Sequence, residues 1–272
     1  MNKTTKGKKF KKIFKRSLLT LFIAVAALAA ILLFPQLLFA NKMRYKNFRV
    51  CSNNKISNDI KIVLDNAISL VERSELYDSN YHYNIILCHN TFYNRIDNLL
   101  GIGPAVRSRL HNVIVKIRID SKNNLAFATF PKECELDLTY ILAHEMIHCQ
   151  QANRYGIKKF NPFTHPEFWK LEGYPEYISR KPQLSSINYS LVMEIQRYID
   201  LKKQATNIWS SPGEGGCEFP DYYFKGRLMM EYLIDIKHFT YDRILRDSVS
   251  ENTIFNEMIK WKDSTKVTDQ ND

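Results

Sequence analysis

One uncharged apolar run, SLLTLFIAVAALAAILLFPQLLFA at residues 17–40, stands apart from a body in which apolar positions recur in short periods. As a helix, this run would rise about 36 Å, enough to cross a hydrocarbon layer of about 30 Å. Pro35 and Gln36 should kink its distal end or place the last turn at the interface. A cleaved signal peptide is the competing reading. Its apolar region usually runs about 7–15 residues, and a cut after Ala40 would put the large Leu38 at the −3 position. Either reading exports the body. No cysteine directly follows the run, so lipoprotein anchoring has no support.

In the body, Asn47–Ser52 reads as a strand and Asp59–Ser74 as a helix with apolar residues at helical spacing. Tyr83–Cys88 is a short apolar run suited to a buried strand, and a helix around Phe92–Leu100 ends at the breaker cluster GIGP. Val113–Ile119 alternates apolar and basic residues, which predicts a half-buried or edge strand with Lys116 and Arg118 outward. Ala126–Phe130 reads as a further strand. Beyond residue 135 helices take over: Leu136–Tyr155 closed by Gly156, then Trp169–Ser179, Asn188–Ala205, Asp221–His238 and Asn252–Lys262. This order predicts an α+β domain over residues 42–262, a small mixed sheet packed on a helical subdomain, with a disordered tail at 263–272.

Composition adds little, with 45% hydrophobic and 25% charged residues as in ordinary globular chains. The net charge of +11 suggests a nucleic-acid binder until it is located. Residues 1–16 hold eight basic side chains and no acid, which leaves only +3 for the rest. A nucleic-acid partner is therefore not expected. The basic stretch predicts a cytoplasmic tail at 1–16, a single-pass anchor at 17–40 and a body outside the cytoplasm. The five cysteines are an odd number. Cys51 and Cys88 fall in strand-like segments and read as small buried hydrophobes. Cys134 and Cys217 fall in loop-like segments, where pairing is open, and no C-x-x-C spacing occurs.

The long helix carries His144-Glu145-Met146-Ile147-His148. Histidines at i and i+4 share one helical face and can bind one ion, while Glu145 beside them can take a proton from a metal-activated water. A catalytic zinc needs a third protein ligand and one open position. Six residues after His148 stands Arg154, a cation, which excludes the metzincin arrangement. Further on, WKLEGYPEY at 169–177 offers Glu172 and Glu176 at i and i+4, one to bind the metal and the other to hold a ligand histidine from behind. His165 and Glu167 are the fallback ligands.

HEMIH followed by WKLEGYPEY resembles the gluzincin metallopeptidases, a resemblance that covers about residues 137–180. It implies a zincin-like, thermolysin-like core with Zn2+ on His144, His148 and Glu172, Glu145 as general base and Glu176 behind a ligand histidine. Tyr222-Tyr223-Phe224-Lys225-Gly226-Arg227 looks like the Y-x-K-G segment of the gluzincin aminopeptidases. That match makes Tyr223 the candidate oxyanion donor, with Arg227 a further residue able to reach the site. The G-x-M-E-N segment of those aminopeptidases is absent, so aminopeptidase specificity has no support. Val113–Ile119 falls where gluzincins place the edge strand that aligns a peptide. The implied function is hydrolysis of a peptide or protein substrate by a membrane-anchored zinc peptidase, and the compact body on a short basic anchor suggests a bacterial cell membrane. The alternative is a non-catalytic anchored protein that uses the metal for structure or binding.

Overall fold

The computed structural model describes residues 3–101, 105–128, 133–156, 158–160, 164–184, 189–204, 211–212 and 217–268. Helix α1 spans Lys3–Leu33, and its stretch Ile13–Leu33, 21 residues, is long and apolar enough to cross a membrane. It stops at Leu33 rather than continuing to Ala40, because Pro35 disfavours helical backbone at Phe34 and has no N–H to donate. The chain leaves through a 3-10 turn at Pro35–Leu38.

The body is mixed α+β. Its main sheet runs in the order β1-β2-β3-β5-β4, from β1 (Asn41–Tyr45), β2 (Phe48–Ser52), β3 (Tyr83–Leu87), β4 (Val106–Arg109) and β5 (Asn112–Val115). β2, β3 and β5 are mutually parallel, and the edge strands β1 and β4 are antiparallel to their neighbours. Alternation along the strands sends Val50, Ile85, Val113 and Val115 into one core, while Cys51, Ile86 and Ile114 enter a smaller apolar cluster on the opposite face. Helix α2 (Ile60–Val71) covers the first face, and α3 (Phe92–Leu99), capped by Thr91, contributes Tyr93 to the second. Cys51, Cys88 and Cys149 are free thiols buried in these layers.

The segment expected as one strand, Val113–Ile119, is broken in two. β5 ends at Val115, and β6 (Arg118–Asp120) joins β7 (Leu125–Ala128) and β8 (Cys134–Asp137) in a separate antiparallel sheet. Lys116, expected to face water, is buried with its Nζ 3.2 Å from Asp97 Oδ2, whereas Arg118 is exposed as expected. In the main sheet the edge position belongs to β4 and not to β5, while β6 forms an edge of the second sheet.

Helix α4 (Leu138–Tyr155) starts where β8 ends: Asp137 Oδ1 accepts the Tyr140 N–H at 2.9 Å, and Leu136, expected inside the helix, belongs to β8. Gly156, at φ +80°, stops it. α4 lies against α2 and the β4–β5 edge on one side and against α5 (Phe168–Leu184) on the other. α6 (Leu191–Gln204), a short hairpin of β9 (Ser211–Pro212) with β10 (Glu218–Phe219), α7 (Asp221–Glu231), α8 (Tyr241–Arg246) and α9 (Glu251–Thr268) complete the body. After α7 the backbone widens into a π-turn at Tyr232–Ile236, within the expected helix Asp221–His238. α9 runs on to Thr268, into the segment expected as a disordered tail, because Ile254, Met258 and Trp261 anchor one face of the helix. The GEGG run before Cys217 and the tip of the GIGP cluster lie outside the described residues. Cys134 and Cys217 form a disulfide, joining the start of β8 to the lead-in of β10 and α7.

α5 and α7 meet backbone to backbone. A Cβ on Gly173 would lie 2.6 Å from the carbonyl carbon and oxygen of Gly226, and one on Gly226 would lie 3.1 Å from Gly173 Cα. Only glycine fits at Gly173, since the opposing atoms are main chain and cannot rotate aside. Gly173→Ala is expected to destabilise the body by about 1–3 kcal/mol, read as a lower urea midpoint with unchanged m-value.

Candidate metal centre

The two histidines and one glutamate come together as the sequence pattern expects. His144 and His148 project from one face of α4, and α5 brings Glu172 across to them, so that their ligand atoms lie within 4.8 Å of one another. Glu172 Oε2 is 3.3 Å from His144 Nε2 and 3.1 Å from His148 Nε2, and the two Nε2 atoms are 3.1 Å apart. A tetrahedral ion with bonds of about 2.0–2.1 Å has ligand–ligand edges of about 3.3–3.4 Å. The triangle of two imidazole nitrogens and one carboxylate oxygen therefore fits a small divalent cation such as zinc.

Each histidine is held from behind. His144 Nδ1 lies 2.9 Å from Glu176 Oε1, and the other oxygen of Glu176 accepts from Arg180 Nε at 3.4 Å. His148 Nδ1 donates to Gln151 Oε1 at 2.7 Å, which leaves the Nε2 lone pair facing the ligand triangle. Nothing in the motif pointed to Gln151. Its amide donates to the Leu171 carbonyl at 3.1 Å and to the Tyr241 hydroxyl at 2.7 Å, and Tyr241 donates to the Lys170 carbonyl at 2.9 Å. The Leu171 carbonyl can accept because Pro175, one turn later in α5, has no N–H for it. A glutamine three residues after the second histidine, with a proline inside the helix of the third ligand, is the signal that could have found this link.

Glu145 is set apart from the ligand triangle. Its carboxylate is 8% exposed and accepts the backbone N–H of Ser108 on β4. Burial pushes the Glu145 carboxyl upward, while His144 and His148 draw it back down. Burial disfavours a charge on His144, yet the hydrogen bonds it donates to Glu172 and Glu176 carry it up to about 10, and His148 is raised chiefly by the nearby charge of Glu172. Burial would raise Glu172, but His148 and His144 hold it far below the usual carboxylate range.

Tyr223 stands beside the cluster, its ring centroid 5.8 Å from that of His144. Its hydroxyl bonds Tyr222, and burial raises its pKa well above that of a free phenol. Rings continue outward from there, Tyr223 to Tyr222 at 4.8 Å and Tyr222 to Phe168 at 5.3 Å. Arg227 is not aimed at the metal triangle: it pairs with Glu194 at 2.7 Å and reaches the Tyr189 hydroxyl at 3.4 Å. The fallback ligands also stay out, with His165 Nδ1 2.6 Å from the Pro166 carbonyl and Glu167 accepting the Trp169 indole N–H.

Glu172 and Glu176 favour the charged form of His144, and Glu172 that of His148, whereas each must be neutral to ligate. Divalent-metal uptake near pH 7.5 should therefore release protons, with affinity rising as the pH is raised. Calorimetry of zinc binding in buffers of different ionisation enthalpy measures this, and zero release would contradict it. Gln151→Met should weaken divalent-metal binding by about 10–100-fold, read by competition with a chelator, while the fold is kept. No known protein family, curated protein or solved structure matches this chain.

Proposed function

We propose that this chain is a membrane-anchored zinc peptidase with a zincin-like fold of the gluzincin kind, acting on peptide or protein substrates. The observation that carries this reading is the division of labour on α4: His144 and His148 converge with Glu172, while Glu145 is excluded from the ligand triangle and steadied by β4. A bound zinc would polarise the scissile carbonyl and make a water molecule easier to deprotonate. Glu145, its carboxyl raised by burial, takes a proton from the attacking water and returns it to the leaving amine. Tyr223 donates its phenol proton to the charge that develops on the carbonyl oxygen. The outer edge of β4, the terminal strand of the main sheet, aligns an extended chain by backbone pairing through the groups that Glu145 leaves open.

The anchor and the bridge support export. Eight basic residues precede the uncharged run that begins at Ser17, which favours a cytoplasmic N-terminus. The Cys134–Cys217 disulfide suits an oxidising compartment on the far side, with a bacterial cell membrane as the proposed setting. A second reading, a non-catalytic anchored protein with a structural or ligand-binding metal, is favoured by the burial of His144 and Glu145, 7% and 8% exposed. Zinc with no open coordination position would support it.

One experiment separates the two. The detergent-solubilised full chain should carry one zinc and cleave members of a quenched fluorescent peptide library. Glu145→Gln should retain zinc and lose about 10²–10⁴-fold in turnover, whereas Glu172→Gln should lose zinc itself. Full hydrolysis by Glu145→Gln would overturn the mechanism, and zinc without hydrolysis of any peptide would favour the non-catalytic reading.

A further inference from the structure

The sheet face opposite α2 and α4 is not covered by an ordinary surface layer. Phe39 inserts there among Cys51, Ile86, Cys88, Tyr93 and Ile114, and Ile31 of α1 packs against the same cluster. The end of α1 is also fastened by hydrogen bonds. Arg109 Nη1 donates to the Leu32 carbonyl at 2.8 Å and Asn112 Nδ2 to the Leu33 carbonyl at 3.2 Å, so two orphan carbonyls of the helix terminus are satisfied by β4 and β5. The apolar helix is thus joined to the sheet by packing and by capping.

Around this joint the outer surface is apolar. Leu37 is 73% exposed in the turn after α1, beside the exposed Phe34 and Leu38. On α3, Tyr93 and Asp97 turn inward, with the Tyr93 ring 6.4 Å from that of Phe39. Its outer face presents Phe92 at 68% and Leu99 at 86% exposure, followed by Leu100 at 43%, with Arg95 and Asn98 exposed among them. Large apolar side chains interspersed with a cation and an amide suit a headgroup layer better than bulk water. The charges beneath are turned inward as well: Asp97 is fully buried against Arg107 and Lys116. Elsewhere among the described residues of the body, the exposed large apolar side chains Ile62, Phe168, Met193 and Ile236 belong to different elements.

Length sets the depth of this surface. The uncharged helical stretch at residues 17–33 rises about 26 Å, a little short of a hydrocarbon layer of about 30 Å, with Lys15 and Arg16 at its near boundary. Leu33 then lies at the boundary of that layer and the 34–38 turn in the headgroup zone. α3, packed on Phe39 through Tyr93, stands at the same level.

We propose that α3 and the 34–38 turn form a lipid-seating surface, immersed in the headgroup layer of the bilayer that α1 crosses, so that the body rests on the membrane and does not swing on its anchor. This rests on reading α1 as a membrane span. The occupant is lipid because the apolar side chains are continuous with the end of the span and lie at the depth its length dictates. The seating also fixes the height of the cleft, since β4 holds α1 through Arg109 and Glu145 through the Ser108 N–H.

The test uses the full chain reconstituted in phosphatidylcholine–phosphatidylglycerol vesicles, with an environment-sensitive fluorophore on one introduced cysteine at a time. The native free thiols are buried and the other two cysteines are bonded, so labelling is confined to the new site. Leu99→Cys should lose most of its emission to lipids spin-labelled near the headgroup and be shielded from iodide. Ile62→Cys, on α2 across the sheet, should show the reverse. Ala24→Cys, within the span, should be quenched by a deep spin label. If Ala24 is quenched while Leu99 behaves like Ile62, the seating is wrong and the span stands. If Ala24 is not quenched, the span reading falls and the seating falls with it.

Discussion

Backbone touches backbone where α5 crosses α7, and the metal cluster depends on that contact. With no side chain at Gly173 or Gly226, the helices approach until main-chain atoms are in van der Waals contact. Glu172, next to Gly173, is thereby carried to the two histidines of α4, and Tyr223 on α7 is carried to the His144 ring. On the same helix Tyr174 stacks on Tyr241 of α8 at 4.0 Å, and its hydroxyl reaches Ser74 beyond the end of α2. A single pair of glycines thus sets the distance between the ligand carboxylate and its partners.

Burying two histidines and three glutamates in one place is costly unless each finds a partner. Here the partners form closed chains. From His148 the bonds run through the Gln151 amide to the Leu171 carbonyl and the Tyr241 hydroxyl; from His144 they run through Glu176 to Arg180. The amide orientation of Gln151 is fixed by its neighbours, because only its oxygen can face the His148 N–H while its nitrogen serves two acceptors. Pro175 would be an unfavourable residue for a helix interior taken alone, yet the carbonyl it frees is the one that Gln151 uses.

His144, Glu145 and His148 could be read from the sequence because their geometry is local to one helix, and the carboxylates of WKLEGYPEY followed from the same logic one helix later. Gln151 could not, since its role exists only when α4, α5 and α8 are assembled. Lys116 was read as outward because alternation is a property of the strand alone, and Asp97, which draws it inward, comes from α3. β4 escaped notice because VRSR has too few apolar residues to announce a strand; its place is set by pairing with β5 and contact with α4. The end of α9 was lost for the opposite reason, a polar composition on a helix already held by buried residues earlier in its length.

The Cys134–Cys217 bridge closes a loop of 83 residues, and within it lie His144, His148, Gln151, Glu172 and Glu176. In the chain-entropy account, restricting such a loop in the unfolded ensemble favours the folded state by about 4–5 kcal/mol. The ligand segment is therefore a closed ring before any ion arrives, and two events that share no atom become thermodynamically linked. Oxidation raises the fraction of chains whose ligand triangle is assembled, and a captured ion in turn makes the folded, bridged form harder to reduce. Occupancy of the His144–His148–Glu172 cluster by an ion would then follow the redox potential of its surroundings.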